Sequence, residues 1–143
     1  MSYAGQVVVL LVVLALAGAG GLEVARADAT AKPIALTITY WPDEELATAF
    51  TRRTLRCNPL GGTLANRKTA CRRLAQLTPA AFAPIPPDSI CTLVYGGPGK
   101  AVVKGTMGTL RIWASFRRRN GCEIDRWQRF SPWLLPAAGV IRS

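Results

Sequence analysis

The stretch "TLRIWASF", Thr109 to Phe116, alternates without a break. Leu110, Ile112, Ala114 and Phe116 fall on one side, and Arg111 and Trp113 on the other. A period of two with β-branched and aromatic residues predicts a strand buried on one face only. "AVVKGT" precedes it and predicts a partner strand, joined around Met107-Gly108. Further upstream "LTITY" repeats the pattern, with Leu36, Ile38 and Tyr40 on one face and Thr37 and Thr39 on the other, until Pro42-Asp43 ends it with turn chemistry. "TRRTLRC" predicts a more polar strand and "NPLGG" a loop.

Helical periodicity enters once between the strands. After Asn66, a good N-cap, Ala70, Cys71, Leu74 and Leu77 recur at helical spacing, and Thr78-Pro79 stops the run. Residues 78–90 predict a loop with four prolines and a short turn at Ala80-Ala81-Phe82. "EIDRWQRF" fits a helix or a last strand equally. Pro132 and Pro136 predict a poorly ordered tail from about residue 132. Strands joined by short turns, with a helix inserted, indicate an α+β domain with an antiparallel sheet.

The chain of 143 residues allows one domain. Val7 to Leu22 is an uncharged apolar run that ends near Ala25-Arg26-Ala27, an A-x-A site, with Ala27-Asp28-Ala29 as a second option. This predicts a secretory signal peptide over residues 1–27, although its first residues carry no Lys or Arg. The rival is an uncleaved anchor. The run is short for a span, which takes ~20 apolar residues, and no basic cluster follows it. The domain is then residues 28–143, in a secreted, extracellular protein.

All four cysteines, Cys57, Cys71, Cys91 and Cys122, lie in that domain. An even count in a small exported domain implies two disulfides. Three pairings are open, and the spacing favours a short loop from Cys57 to Cys71, leaving Cys91 with Cys122. A zinc site is disfavoured, because the chain has no histidine and no C-x-x-C pair.

The missing histidine also removes Ser-His-Asp, Cys-His and most metal-hydrolase arrangements. Oxidised cysteines leave no thiolate nucleophile. A two-carboxylate glycosidase would have to use Glu123 with Asp43, and nothing in their spacing supports the pair. No phosphate loop or dinucleotide fingerprint occurs. These exclusions favour a binding protein over an enzyme, without metal or cofactor. The net charge of +10, with clusters at Arg52-Arg53, Arg72-Arg73 and Arg117-Arg118-Arg119, admits a cationic module for nucleic acid or an anionic cell surface as the alternative. No aromatic-interleaved binding motif accompanies the arginines, and a solvated face is the plainer reading.

"CTLVYGGP", Cys91 to Pro98, admits two readings. On pattern alone "TLVY" is β-prone and reads as a buried strand. The prolines before it and Gly96-Gly97-Pro98 after it suit instead an extended, exposed loop, tethered at Cys91 and offering Leu93 to a protease pocket.

"CNPLGGTLANRKTACRRL" resembles the signature of the Streptomyces subtilisin inhibitor family of secreted serine-protease inhibitors, through Cys57, Pro59, Gly62, Ala70, Cys71 and Leu74. "CTLVYGGP" resembles that family's reactive loop, and "NGCEIDRW" places Cys122 where the loop's disulfide partner stands. The likeness runs from "ALTITYWP" to "GCEIDRW". Leu64-Ala65 stand where the family usually has His-Pro, and the basic "CRRL" and "FRRRNGC" depart from it as well.

The resemblance implies an α+β fold with a five-stranded antiparallel sheet, two helices and the disulfides Cys57–Cys71 and Cys91–Cys122. It implies a homodimer through sheet packing, for which the outer face of "TLRIWASF" with Trp113 is a contact surface. The reactive bond would be Leu93–Val94. Leu93 would fill the primary pocket, with Thr92, Cys91 and Ile90 in the second, third and fourth subsites, and Tyr95 and Gly96 beyond the bond. Asn120, beside Cys122, would brace the loop. The partner would be a subtilisin- or chymotrypsin-type serine endopeptidase. No nucleic acid is expected, and no membrane once the leader is removed.

Overall fold

The computed structural model describes residues 31–137. The expected leader, its cleavage after Ala27 or Ala29, and residues 138–143 lie outside the described residues. Strand β1 (Ile34–Trp41) pairs with β2 (Thr51–Cys57) on one side and β4 (Lys100–Met107) on the other. Strand β5 (Leu110–Phe116) extends the sheet beyond β4, and the two-residue β3 (Gly61–Gly62) pairs with β2. The order is β3-β2-β1-β4-β5 and every pairing is antiparallel.

The register explains the core. Leu36 stands opposite Leu55, Ile38 opposite Val103, Val103 opposite Ala114, and Ala101 opposite Phe116. With a period of two, all of these side chains share one face, and all are buried. Gly105 makes the close approach of β4 to β1 possible: a β-carbon there would stand 1.9 Å from the Ala35 carbonyl oxygen, at a φ of +148°.

Two helices cover that face. Helix α1 (Arg67–Ala75) buries Ala70 and Leu74, and Cys57–Cys71 ties it to the end of β2. Asn66 precedes it without capping it. Its φ of −95° and ψ of 40° lie outside the extended region that aims a side-chain oxygen at the first-turn amides. The ambiguous "EIDRWQRF" belongs to helix α2 (Gly121–Phe130), which buries Trp127 and Phe130. The 3-10 turn Pro79–Phe82 sets Phe82 against Phe130, ring centroids 4.9 Å apart. The α+β architecture with two disulfides is therefore as the sequence indicates.

The expected loose tail from residue 132 is corrected as far as Ala137. Trp133, Leu134 and Leu135 are part of the core. The chain turns back over the end of α2, so its donors meet carbonyls that a helix end leaves open. The Leu134 and Leu135 amides donate to the Phe130 carbonyl at 2.8 and 3.0 Å. Trp133 Nε1 donates to the Arg129 carbonyl, and Trp127 Nε1 to that of Pro136, both at 3.0 Å.

Candidate functional site: a tethered exposed loop

Between the 3-10 turn and β4 the chain has neither helix nor strand, apart from a turn near Pro87. It leaves the body firmly anchored. Arg126 donates to the Phe82 carbonyl at 2.8 Å and to the Ser115 carbonyl at 2.7 Å, with its guanidinium 4.2 Å from the centre of the Phe116 ring. Burial lowers the Arg126 pKa from its ordinary value.

The segment Thr92–Gly96 is held at both legs. The Cys91–Cys122 disulfide ties the first leg to α2, and the Gly121 amide donates to the Thr92 carbonyl at 2.9 Å. On the second leg the Gly96 amide donates to the Arg118 carbonyl at 2.7 Å, and the Glu44 amide donates to the Pro98 carbonyl at 3.0 Å. Leu93, Val94 and Tyr95 stand between these anchors and make no hydrogen bond to the other described residues. Leu93 is 100 % exposed, Ile90 is equally open, and Val94 and Tyr95 are more than half exposed. "TLVY" is thus no strand. Its two legs are pinned to residues 118–122, and the side chains between them project outward.

The base of the loop depends on two glycines. A β-carbon on Gly121 would stand 2.1 Å from Thr92 Oγ1. One on Gly96 would stand 2.9 Å from Ile124 Cγ1 and 3.0 Å from Arg118 Cβ. Contrary to the expectation that it braces the loop by hydrogen bonds, Asn120 makes none to the loop among the described residues. Its extended backbone makes it the N-cap of α2, and its Oδ1 accepts from the Glu123 amide at 2.9 Å. The Glu123 carboxylate reaches back to the Arg119 amide at 2.7 Å. Both interactions fix the start of α2, which carries Gly121 and Cys122.

Charge locks the second leg. The Glu44 carboxylate accepts from Arg117 Nε at 2.8 Å and also pairs with Arg119. The Arg117 hydrogen bond, aided by Arg119 and opposed by desolvation, holds the Glu44 carboxyl below its ordinary pKa. Arg118 lies between these two arginines in sequence and turns inward. It is buried, with its guanidinium 5.0 Å from the Trp127 ring centre, and its Nε and Nη1 have no hydrogen-bond partner among the described residues. The face of the indole compensates part of that buried charge.

Leu93, Val94, Ile90, Cys91, Thr92, Tyr95, Gly96 and Cys122 thus come together in one projecting loop and its support. The sequence reading missed Glu44, Arg118 and Gly121. Gly121 left one signal, a glycine wedged between Asn120 and Cys122, which reads equally well as a plain turn. Cys57–Cys71 lies at the opposite end of the sheet, about 20 Å away by strand rise. A cavity of about 1010 Å³, lined by Ile34, Leu74, Pro79 and Met107 among others, is at that far end too. Among the described residues no acidic, cysteine or histidine cluster could hold a metal, and no helix is long and apolar enough to cross a membrane. Asp43 and Glu123 are engaged locally, accepting from the amides of Glu45 and Arg119.

Neither a comparison with protein-family models nor a search of curated proteins finds a match for this chain.

Proposed function

We propose that the protein is a secreted inhibitor of subtilisin- or chymotrypsin-type serine proteases and that Leu93–Val94 is its reactive bond. The observation that carries this reading is a fully exposed leucine at the crest of a loop pinned on both sides. An exposed apolar side chain on a rigid support is an anchor waiting to be buried. The rigidity matters energetically, since ordering a mobile side chain on binding costs ~0.5–1.5 kcal/mol. The resemblance of "CTLVYGGP" to a known reactive loop supports the same assignment.

In this mechanism Leu93 enters the primary pocket and Ile90 the fourth subsite. The target's serine attacks the Leu93 carbonyl carbon and an acyl-enzyme forms as the Val94 amine departs. The amine stays close, because Gly96 and Pro98 are hydrogen-bonded to the body and Cys91 is tethered on the other side. Its return to the acyl carbon competes with water, so the bond is cut slowly and reversibly.

Titration of subtilisin, chymotrypsin and trypsin with the secreted protein tests the reading. Stoichiometric inhibition of the first two is expected, and Leu93→Lys should turn it toward trypsin, whose pocket base is acidic. An unchanged profile for Leu93→Lys, or nicking anywhere but after Leu93, overturns it.

A further inference from the structure

One face of the sheet carries the core and both helices. The other is uncovered among the described residues and strongly basic. Across the strands the register sets Arg56, Ala35, Thr106 and Arg111 in one row. The next row is Thr54, Thr37, Lys104 and Trp113. Arg52 and Lys100 add two more cations toward the other end of the same face. Strands β1, β2, β4 and β5 contain no Asp or Glu, so no carboxylate on them neutralises this surface.

Aromatic rings alternate with these charges. Trp113 is 78 % exposed, and Lys104 Nζ lies 4.5 Å from its ring centre. Arg52 lies 5.4 Å from the ring centre of the exposed Phe50, and Lys100 is the same distance from that of Trp41. The interleaving that no stretch of the sequence displays is assembled by strand pairing.

We propose that this outer sheet face binds single-stranded nucleic acid. Phosphates meet the cations, and unpaired bases stack on Trp113 and Phe50, a combination that flat, sequence-tolerant strand platforms use. A base-free polyanion would engage the cations and leave the Trp113 ring open. A duplex hides the faces of its bases. An anionic bilayer would have to accept the rings by burying the hydroxyls of Thr37, Thr54 and Thr106 around them, at a cost without new hydrogen bonds. A second copy of this chain, which the resemblance calls for here, would set five cations against five. Each like-charge pair at 4 Å costs about 1 kcal/mol in water and about 4 kcal/mol near a protein surface. The proposal does not depend on the inhibitor reading.

The test is anisotropy of a fluorescein-labelled 20-nucleotide oligothymidylate titrated with the full secreted chain. Saturable binding is expected, weakening roughly 50- to 130-fold between about 50 and 200 mM salt if four or five phosphates are neutralised. Trp113→Ala should weaken it about tenfold through lost stacking. Lys104→Glu should weaken it at least as much, whereas Lys68→Glu, an equal charge change on exposed α1, should have little effect. Any of four results overturns the proposal: no binding at low salt; equal losses for Lys104→Glu and Lys68→Glu; polyphosphate competing as well as the oligonucleotide with Trp113→Ala silent; or preference for anionic phospholipid vesicles. A two-chain sedimentation mass that Trp113→Ala reduces to one would assign the face to a second copy instead.

Discussion

The Gly121 amide donates to the Thr92 carbonyl at 2.9 Å, and the same glycine leaves no room for a β-carbon beside Thr92 Oγ1. The first turn of α2 therefore meets the residue before Leu93 through a backbone hydrogen bond, with the Thr92 hydroxyl seated where a side chain at 121 would stand. Loop position and helix start are one unit, closed covalently by the neighbouring Cys91–Cys122.

Gly121→Ala should weaken inhibition while sparing the fold. Overpacking costs ~1–3 kcal/mol, and the exposed Thr92 leg is the part free to yield. The expected loss of affinity is roughly 5- to 150-fold. Thr92→Ala in the same chain removes the clashing hydroxyl and should restore much of it. An inhibition constant unaffected by Gly121→Ala would contradict the coupling.

Leu93→Ala should cost on the order of 2–4 kcal/mol of binding, roughly 30- to 700-fold. Because Leu93 is fully exposed in the free protein, the unfolding midpoint should not move. A Tm that falls with the inhibition would mean that Leu93 packs on the body.

Opening Cys91–Cys122 by serine substitution should cost more inhibition than opening Cys57–Cys71. The two close loops with sequence separations of 31 and 14, so each should lower stability by about 3–4 kcal/mol in the chain-entropy model. Only the first holds the exposed leg. Equal losses of inhibition, measured where both variants remain folded, would argue against the distinction.

Glu44 should make stability sensitive to acid. Its carboxyl ionises more readily in the folded chain than in the unfolded one, where the ordinary value is 4.5. Its contribution is therefore full above that value and is lost as the pH falls through the lower folded-state value. Denaturant midpoints should separate wild type from Glu44→Gln at neutral pH and converge in acid. A constant gap from about pH 7 to about pH 2 would exclude the linkage.

Ending the chain after Ser131 should unfold it or nearly so. Trp133, Leu134 and Leu135 are buried, each worth ~1.5–3 kcal/mol, against a typical domain stability of ~5–15 kcal/mol. The milder Trp133→Ala should still cost about 3–5 kcal/mol. A truncated chain with an unchanged thermal transition would show that the segment is dispensable.

The sequence by itself determined the inner face of the sheet. Alternation in "LTITY" and "TLRIWASF" reports which side of a strand is apolar, because that depends only on neighbours two residues apart. It also placed α1 and counted the two disulfides, and it left "TLVY" between a buried strand and a proline- and glycine-bounded loop. It misjudged the tail, where Pro132 and Pro136 concealed an apolar Trp133-Leu134-Leu135 run that closes over α2. Only the tertiary structure decided that Leu93 projects, because "TLVY" is as β-prone as a core strand until Gly121, Arg118 and Glu44 are brought beneath its two legs. Only the register decided that Arg52, Lys104, Arg111 and Trp113 share one open surface. Periodicity records neighbours along the chain. Contacts across strands join residues far apart in sequence, and a shift of register by one would have turned these same side chains to the other face.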